Sequence, residues 1–426
     1  MKLKPENSLA RNTLWITIGQ GARLVVQALY FTVIARSLGV SNYGAFVGVV
    51  ALVGIFYPFG SGGRGNLLVR NVARDRSTLP HMWGAALSVC ALFGGILIAV
   101  VMLIYHYTLP ASIPGRLVLL VAASDIIGLN IILISGQAFQ AFDQLKWTAA
   151  INVMISTSRL IGALLLYLFH HSPSPLQWGY VYFGSTAVVA TTAAILVSTK
   201  LGAPRLNLPK SWFEVREGLY FSISTSATTI YNDIDKTMLA RMSTLEATGL
   251  YGAAYRLIDV SFAPVQALTT AAYPHFFRHG AKGIAASWKY GKPLLLKGLG
   301  YATLVCLAIL ACAGIVPYVL GQEYAKTTEA LRWLAPLPFI KAIHYFLSDS
   351  LTGAGYQWLR SSIQTGVALF NVLINLWLIP AYSWRGAAWS SILSDGLLAL
   401  SIYIAIVCVA RNESLQKAAL PASIGS

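Results

Sequence analysis

Arg23, Arg159, Arg256 and Lys341 each stand near the middle of an apolar run long enough to cross a bilayer. A Lys or Arg at the centre of a membrane helix costs roughly 2.5–3.5 kcal/mol on insertion scales. Together these residues cost on the order of 10 kcal/mol unless water, acids or an anionic ligand compensate. A chain that keeps them must fold so that each is shielded from lipid. The chain is 56% hydrophobic and 11% charged, against about 45–50% and about 25% in an ordinary soluble domain, and the apolar surplus comes in blocks.

Runs of about 20 mostly uncharged residues predict spans near 12–36, 42–60, 83–105, 114–136, 147–169 and 178–198, then near 216–240, 248–273, 293–318, 331–353, 360–380 and 385–410. The fold class this implies is an all-α polytopic membrane protein of about 12 transmembrane helices. The basic start, Met1 to Arg11, precedes a run too long and too charged for a cleavable signal, so it is expected to stay as a signal anchor.

Lys2, Lys4, Arg11, Arg64, Arg70, Arg74, Arg76, Lys146, Lys200, Arg205, Lys210, Arg216, Arg278, Lys282, Lys289, Lys292, Lys297, Arg360, Arg411 and Lys417 fall on the face of the N-terminus. The other face receives only Arg36, Arg116, Lys236, Arg241, Lys326, Arg332 and Arg385. By the positive-inside rule both termini are expected in the cytoplasm. The net charge of +16 is then a topology signal with attraction to anionic membrane lipids. Nucleic acid is not an expected partner, because the basic residues form no compact, aromatic-interleaved patch.

The longest connections, Thr199 to Val215 and Pro274 to Lys292, are too short for a folded domain, so the chemistry belongs in the membrane. The first divides the chain into an N-terminal six-helix lobe, 1–205, and a C-terminal six-helix lobe, 206–426. A repeat supports the division. Ala35-Arg36 followed by Gly44-Ala-Phe46 recurs, 205 residues on, as Ala240-Arg241 followed by Gly249-Leu-Tyr251. With an even number of spans per lobe, the pseudo-twofold axis runs along the membrane normal and the site belongs where the lobes meet.

Pro336 and Pro338 precede Lys341 within one predicted span. They predict a bent helix, whose freed carbonyls need protein or water partners. Gly60-Ser-Gly62-Gly-Arg-Gly65 matches a dinucleotide-binding pattern literally, but no strand precedes it and the nearby acid is Asp75 alone. A flexible cytosolic end of the second span fits better, a hinge whose Arg64 meets a phosphate at the cavity entrance. Cys90, Cys306, Cys312 and Cys408 lack metal-ligand spacing and read as small core residues. His275 and His279 lack a third ligand and read as a solvated helix end. No metal and no cofactor are expected.

The intramembrane acids are Asp125, Asp233, Asp235, Asp259, Asp349 and Asp395. Asp235 neighbours Lys236, and Arg256 and Asp259 are three apart, a spacing that suits a helix-face ion pair. Arg23, Arg159 and Lys341 have no acid within one turn, which favours a cavity-lining position. Asp125 and Asp395, equally isolated in sequence, are candidates to carry a coupling proton. Trp15, Tyr43, Trp83, Trp147, Trp178, Trp212, Trp333 and Trp384 fall where spans end and read as interfacial belts. Tyr231, Tyr251 and Tyr255 flank the Asp233–Arg256 hairpin and are candidates to stack on sugar rings.

The chain resembles the polysaccharide flippase family, the Wzx-type transporters of lipid-linked oligosaccharides within the superfamily of multidrug and toxin exporters. The resembling segments are Leu9-Ala-Arg-Asn-Thr-Leu14, Gly19-Gln-Gly21, Ala35-Arg-Ser-Leu-Gly39 with Tyr43-Gly44, Gly65-Asn-Leu-Leu-Val-Arg-Asn71, and Asn232-Asp-Ile-Asp-Lys-Thr-Met-Leu-Ala-Arg241 followed by Gly249-Leu-Tyr-Gly-Ala-Ala-Tyr-Arg256. The resemblance implies a non-enzymatic flippase that moves an undecaprenyl-diphosphate-linked glycan from the cytoplasmic to the periplasmic leaflet of the bacterial inner membrane by alternating access. The cationic site is then Arg23, Arg159, Arg256, Lys341 and Arg64. Asp125, Asp233, Asp235, Asp259 and Asp395 would couple transport to H+ or Na+, and a polysaccharide polymerase and glycosyltransferases are implied as partners.

Two other functions fit parts of the pattern. A multidrug exporter of organic cations would prefer an acidic cavity. A membrane glycosyltransferase or polysaccharide polymerase would carry long periplasmic loops. A structural subunit of a polysaccharide machine would leave the buried cations unexplained.

Overall fold

The computed structural model describes residues 5–170, 172–205 and 212–419, and every regular element among them is helical. The helices are α1 (Pro5–Phe56), α2 (Arg64–Arg74), α3 (Leu79–Thr108), α4 (Gly115–Ala122), α5 (Asn130–Ala141), α6 (Leu145–Phe169), α7 (Pro175–Lys200), α8 (Trp212–Met242), α9 (Leu245–Gly280), α10 (Ile284–Cys312), α11 (Val316–Leu320), α12 (Thr327–Leu334), α13 (Leu337–Gly353), α14 (Gln357–Tyr382) and α15 (Trp384–Ala419). A π-helical turn, Ala123–Leu129, joins α4 to α5.

Among the described residues, eight helical stretches are long and apolar enough to cross a membrane: Gly21–Arg74, Arg76–Thr108, Gly115–Ala141, Leu145–Phe169, Pro175–Lys200, Ile284–Leu320, Gln357–Tyr382 and Trp384–Leu415. This is the polytopic all-α architecture expected. The spans expected at 12–36 and 42–60 fall on the two halves of α1, which is interrupted at Gly39, and the second runs into the short turn Tyr57–Phe59 that follows it. Those expected at 216–240, 248–273 and 331–353 fall on α8, α9 and α12–α13, the helices that carry Asp233, Lys236, Arg256, Asp259, Lys341 and Asp349. Lys2, Lys4 and Lys210 lie outside the described residues, as do the side chains of Arg11, Trp15, Trp212, Arg216 and Lys417.

The described residues pack as two compact units. One comprises residues up to Gly249 with Val319–Glu323; the other comprises Leu250–Tyr318 and the residues from Tyr324 onward. In the first unit α1 bends at Gly39, whose φ of 72° is left-handed. The bend frees the Val40 N–H, which donates to Glu323 Oε2 at 3.2 Å. A Cβ at Gly39 would lie 2.6 Å from that oxygen, so glycine meets two requirements there.

Helix α8 is tied to α1 and the turn that follows it by hydroxyls that donate to backbone carbonyls: Ser222 to Pro58, Ser226 to Ile55 and Thr237 to Gly48. The two copies of the sequence repeat meet each other here. A Cβ on Gly44 would lie 1.9 Å from the Leu245 carbonyl oxygen, and a Cβ on Gly249 would lie 1.9 Å from that of Val40. Gly44 and Gly249 are 205 apart, and so are Val40 and Leu245, so the contact is reciprocal in the period of the repeat. Backbones approach this closely in a membrane only where side chains are absent.

Several residues read as interfacial are core. Trp83 and Trp178 are fully buried, with Tyr43 and Trp384 close behind. The Trp83 Nε1–H donates to Ser198 Oγ at 3.2 Å. Trp178 is ringed by Tyr30, Phe46 and Tyr182 with centroids 5.7–6.0 Å away. The Trp83 indole costs little to bury because its N–H is satisfied; Trp178 Nε1 has no hydrogen-bond partner among the described residues, and its burial rests on the rings packed around it. Of the cysteines only Cys90 is buried; Cys312 and Cys408 are exposed, which corrects their reading as core residues. Tyr231, Tyr251 and Tyr255 are buried in packing rather than presented for stacking, and Tyr251 Oη is 2.9 Å from Ser391 Oγ.

In the second unit α13 packs against α10 and α15 around Phe262, Phe276, Leu295, Ala342 and Phe346. The helix break expected at the prolines is present: α12 ends at Leu334 and α13 starts at Leu337, with Pro336 as its N-cap. Helices α14 and α15 are joined by neutral groups. Asn371 Nδ2–H donates to Ser394 Oγ and Ser390 Oγ–H to Asn375 Oδ1, at 3.0 and 2.6 Å.

The Gly44–Gly249 contact predicts that Gly44→Ala and Gly249→Ala each destabilise the protein by about 2 kcal/mol or more, since backbone oxygens cannot move aside. Gly95→Ala in α3, with open space around it, should be neutral or stabilise by about 0.5–1 kcal/mol. Thermal unfolding in detergent micelles measures all three.

Candidate functional site

The buried charges fall into clusters, each assembled within one unit. In the first unit, α6 carries Arg159 and the π-helical turn carries Asp125. Arg159 Nη2 lies 3.6 Å from Asp125 Oδ1, with the side chains 16% and 8% exposed. From α7 the Tyr182 O–H donates to the same oxygen at 2.8 Å. The Tyr182 ring lies under the guanidinium, 3.9 Å from its carbon. Arg159 also donates to Thr186 Oγ1 at 3.3 Å. A guanidinium cannot shed its charge, so its burial rests on this company of carboxylate, ring and hydroxyl.

The π-helical turn makes the arrangement possible. An extra residue in the turn rotates the side chains before it relative to those after it. The turn is pinned by Asn130, whose Nδ2 donates to the Tyr57 and Ile126 carbonyls, both at 2.9 Å. A cavity of about 560 Å³ is lined by Ser124, Gly128, Phe183, Thr186 and Ala190 among others, and Thr186 is the lining residue that contacts Arg159.

The second cluster of this unit is Lys236 with Asp233 and Asp235, all on α8. The ammonium is 2.6 Å from Asp233 and 3.7 Å from Asp235, and it donates to the Asn232 carbonyl at 2.8 Å. The adjacent Asp235–Lys236 pair expected from sequence is present. Lys236 itself is buried on α8, although the sequence counts it among the basic residues of the face opposite the N-terminus. Arg64 is buried as the first residue of α2, and the glycine turn before it is held through Tyr57 by Asn130; it is an anchored turn rather than a flexible end. Arg23 is half-buried on α1.

In the second unit Lys341 is 6% exposed and lies 3.6 Å from Asp259 Oδ1, whose side chain is 47% exposed. The Tyr255 ring lies 4.5 Å from the ammonium. Asp259 was expected to serve Arg256, three residues before it on α9. It serves Lys341 instead, and Arg256 is half-buried. One turn along α13, His344 Nε2 lies 3.0 Å from Asp395 Oδ1. Beyond it Asp349 lies 3.9 Å from Arg360, which donates to Thr352.

Asp125, Asp395, Arg159 and Lys341 are therefore partnered, although the sequence around each is free of opposite charge. The partners lie 34, 51 and 82 residues away in sequence, on other helices. Tyr182 and His344 escaped the sequence reading. His344 carried a usable signal, three residues after Lys341 on one helix face. Tyr182 carried none. His275 and His279 end α9 against the Tyr290 ring, and no group of three potential metal ligands exists among the described residues.

Removing one member of a buried ion pair strands the other. Asp125→Asn is expected to destabilise the protein by about 3 kcal/mol, and Asp125→Asn with Arg159→Gln to recover most of that loss. Thermal unfolding in micelles checks this; additive losses would show that the two groups act independently.

The sequence matches the family described as polysaccharide biosynthesis protein over residues 9–279. It is 23% identical over 424 residues to the "Putative O-antigen transporter" of Escherichia coli (strain K12), covering 96% of this chain and 98% of that one. It is 22% identical over 400 residues to the "Probable low-salt glycan biosynthesis flippase Agl15" of Haloferax volcanii, covering 91% of this chain and 81% of the other. Among solved structures, the lipid II flippase MurJ in an inward closed conformation aligns with a TM-score of 0.73 at 11% identity, over 92% of this chain and 87% of that one. The polytopic helical fold and the match across more than half its length agree: this chain belongs to the polysaccharide biosynthesis protein family.

Proposed function

We propose that the protein is a flippase, not an enzyme, that moves an oligosaccharide linked to undecaprenyl diphosphate from the cytoplasmic to the periplasmic leaflet of the bacterial inner membrane. Transport proceeds by alternating access of two six-span halves, 1–205 and 206–426, with both termini in the cytoplasm and an ion gradient as the drive. The names of the relatives in Escherichia coli and Haloferax volcanii support the substrate class.

The observation that carries the reading is the inequality within the Lys341–Asp259 pair. The ammonium is buried and its carboxylate is half exposed. An ion pair with one wet partner is one that an incoming anion can exchange: a diphosphate replaces Asp259 at Lys341, and Asp259 is released to water at little cost. The cation stays compensated throughout, which is what a diphosphate passing through about 30 Å of hydrocarbon requires. Arg159 offers a second station, with Arg23, Arg64 and Arg256 as further cations on the path.

The polyprenyl chain remains in lipid, and the glycan is handed to a polymerase and glycosyltransferases. An exporter of organic cations has no use for ammonium and guanidinium groups in these positions. Each unit charge moved through the membrane potential is worth about 2.3 kcal/mol per 100 mV, and Asp125, Asp233, Asp235, Asp259 and Asp395 are the acids available to couple it.

Proteoliposomes that hold a labelled undecaprenyl-diphosphate oligosaccharide test the reading. Lys341→Gln and Arg159→Gln should each slow transbilayer movement roughly 10- to 100-fold, the loss of one charge-assisted contact of about 1.5–3 kcal/mol. Movement by the folded variants at the wild-type rate would remove them from the site. Unchanged rate and direction after the ion gradients are dissipated would remove the coupling.

A further inference from the structure

We propose that His344 and Asp395 form a proton-binding site whose occupancy is linked to anion binding at Lys341. This deepens the flippase reading above and rests on it. His344 Nε2 and Asp395 Oδ1 are 3.0 Å apart, with side chains 7% and 2% exposed. A buried imidazole and carboxyl this close titrate as one coupled pair, which holds one proton in either of two arrangements, imidazolium with carboxylate or imidazole with carboxylic acid. Both are neutral overall. When that proton leaves, a net negative charge remains in apolar surroundings.

Joining helices does not require such a pair. In the same unit α14 and α15 are held by Asn371 on Ser394 and Ser390 on Asn375, with no ionisable group. Between α13 and α15 the chain uses His344 and Asp395 instead. The choice places a titratable group one turn from Lys341 on the helix that restarts after Pro336.

The charged neighbours fix the sign of the link. On α13 itself Lys341 precedes His344 by three residues and Asp349 follows it. Arg360, at the start of α14, also acts on His344. From α9 come Asp259, held by Lys341, and Arg256; α10 packs against α13 with the uncharged Leu295, Gly298 and Ala302. With the His344–Asp395 pair deprotonated, its negative charge competes with any anion for Lys341. With the pair protonated, Lys341 is free to bind the anion. Anion and proton therefore favour one another, and the coupling is reciprocal.

The purified full-length protein in detergent, titrated with undecaprenyl diphosphate across a range of pH, tests the proposal. Wild-type affinity should fall as pH rises through the titration of the pair, by up to ~10-fold per pH unit for one linked proton. Asp395→Asn, uncharged at every pH, should bind as tightly as the protonated wild type and without that slope, and His344→Gln should move the slope to the pH at which the Asp395 carboxyl titrates alone. Infrared difference spectra of the same samples should show a carboxylic acid band that Asp395→Asn abolishes and folded His344→Gln shifts, a readout that needs no ligand.

An unshifted slope in folded His344→Gln or any slope in folded Asp395→Asn overturns the proposal, as does wild-type binding that is flat in pH. Wild-type protein that binds no diphosphate lipid while its infrared band titrates overturns the flippase reading and, with it, the link to Lys341. A spectrum in which neither a carboxylic acid band nor an imidazolium band titrates overturns the proton site alone.

Discussion

An ionised side chain in the low dielectric of a bilayer must have a partner, and the packing of this protein follows from that requirement. Arg159 draws together α6, α7 and the π-helical turn, because its compensation comes from Tyr182, Thr186 and Asp125. Lys341 ties α13 to α9 through Asp259 and Tyr255, and His344 ties α13 to α15 through Asp395. Each pair costs desolvation that a hydrophobic pair would avoid. Their retention is what the flippase proposed above would need, in which an anionic substrate exchanges with the resident carboxylate.

Exchange also explains why the acids are not equally buried. Asp125, Asp235 and Asp395 are enclosed, whereas Asp259 and Asp233 keep more than a third of their side chains in contact with the surface. The enclosed acids fix cations and helices in place. The half-exposed ones are free to release a cation and be solvated. The close approach of the repeated segments at Gly44 and Gly249 serves a different end. It brings α1 and the first turns of α9 within backbone contact, with hydroxyls from α8 donating to α1 carbonyls alongside.

Much of this was legible in the sequence. Hydropathy placed the helical runs, because lipid imposes a length of about 20 apolar residues. The prolines at 336 and 338 announced the break before Lys341, and the 205-residue repeat marked the glycines that meet. The partners of Arg159, Lys341 and Asp395 were not legible, because they come from helices 34, 82 and 51 residues away and no local pattern records such a pairing. Local spacing misled for Arg256 and Asp259: three residues apart suits a helix pair, but Lys341 took the carboxylate. Trp83 and Trp178 were misread for a related reason. A tryptophan at a span end looks interfacial until another helix covers it, and here Ser198 and the rings of Tyr30, Phe46 and Tyr182 do so.

The central claim is that an anionic lipid carrier is recognised through exchange at buried cations. The direct measurement compares transbilayer movement, in proteoliposomes of the wild-type protein, of one oligosaccharide presented on undecaprenyl diphosphate and on an uncharged polyprenyl glycoside. The account predicts rapid movement of the diphosphate-linked glycan and background movement of the neutral one. Equal movement of the two would show that the buried cations do not select the substrate, and would contradict it.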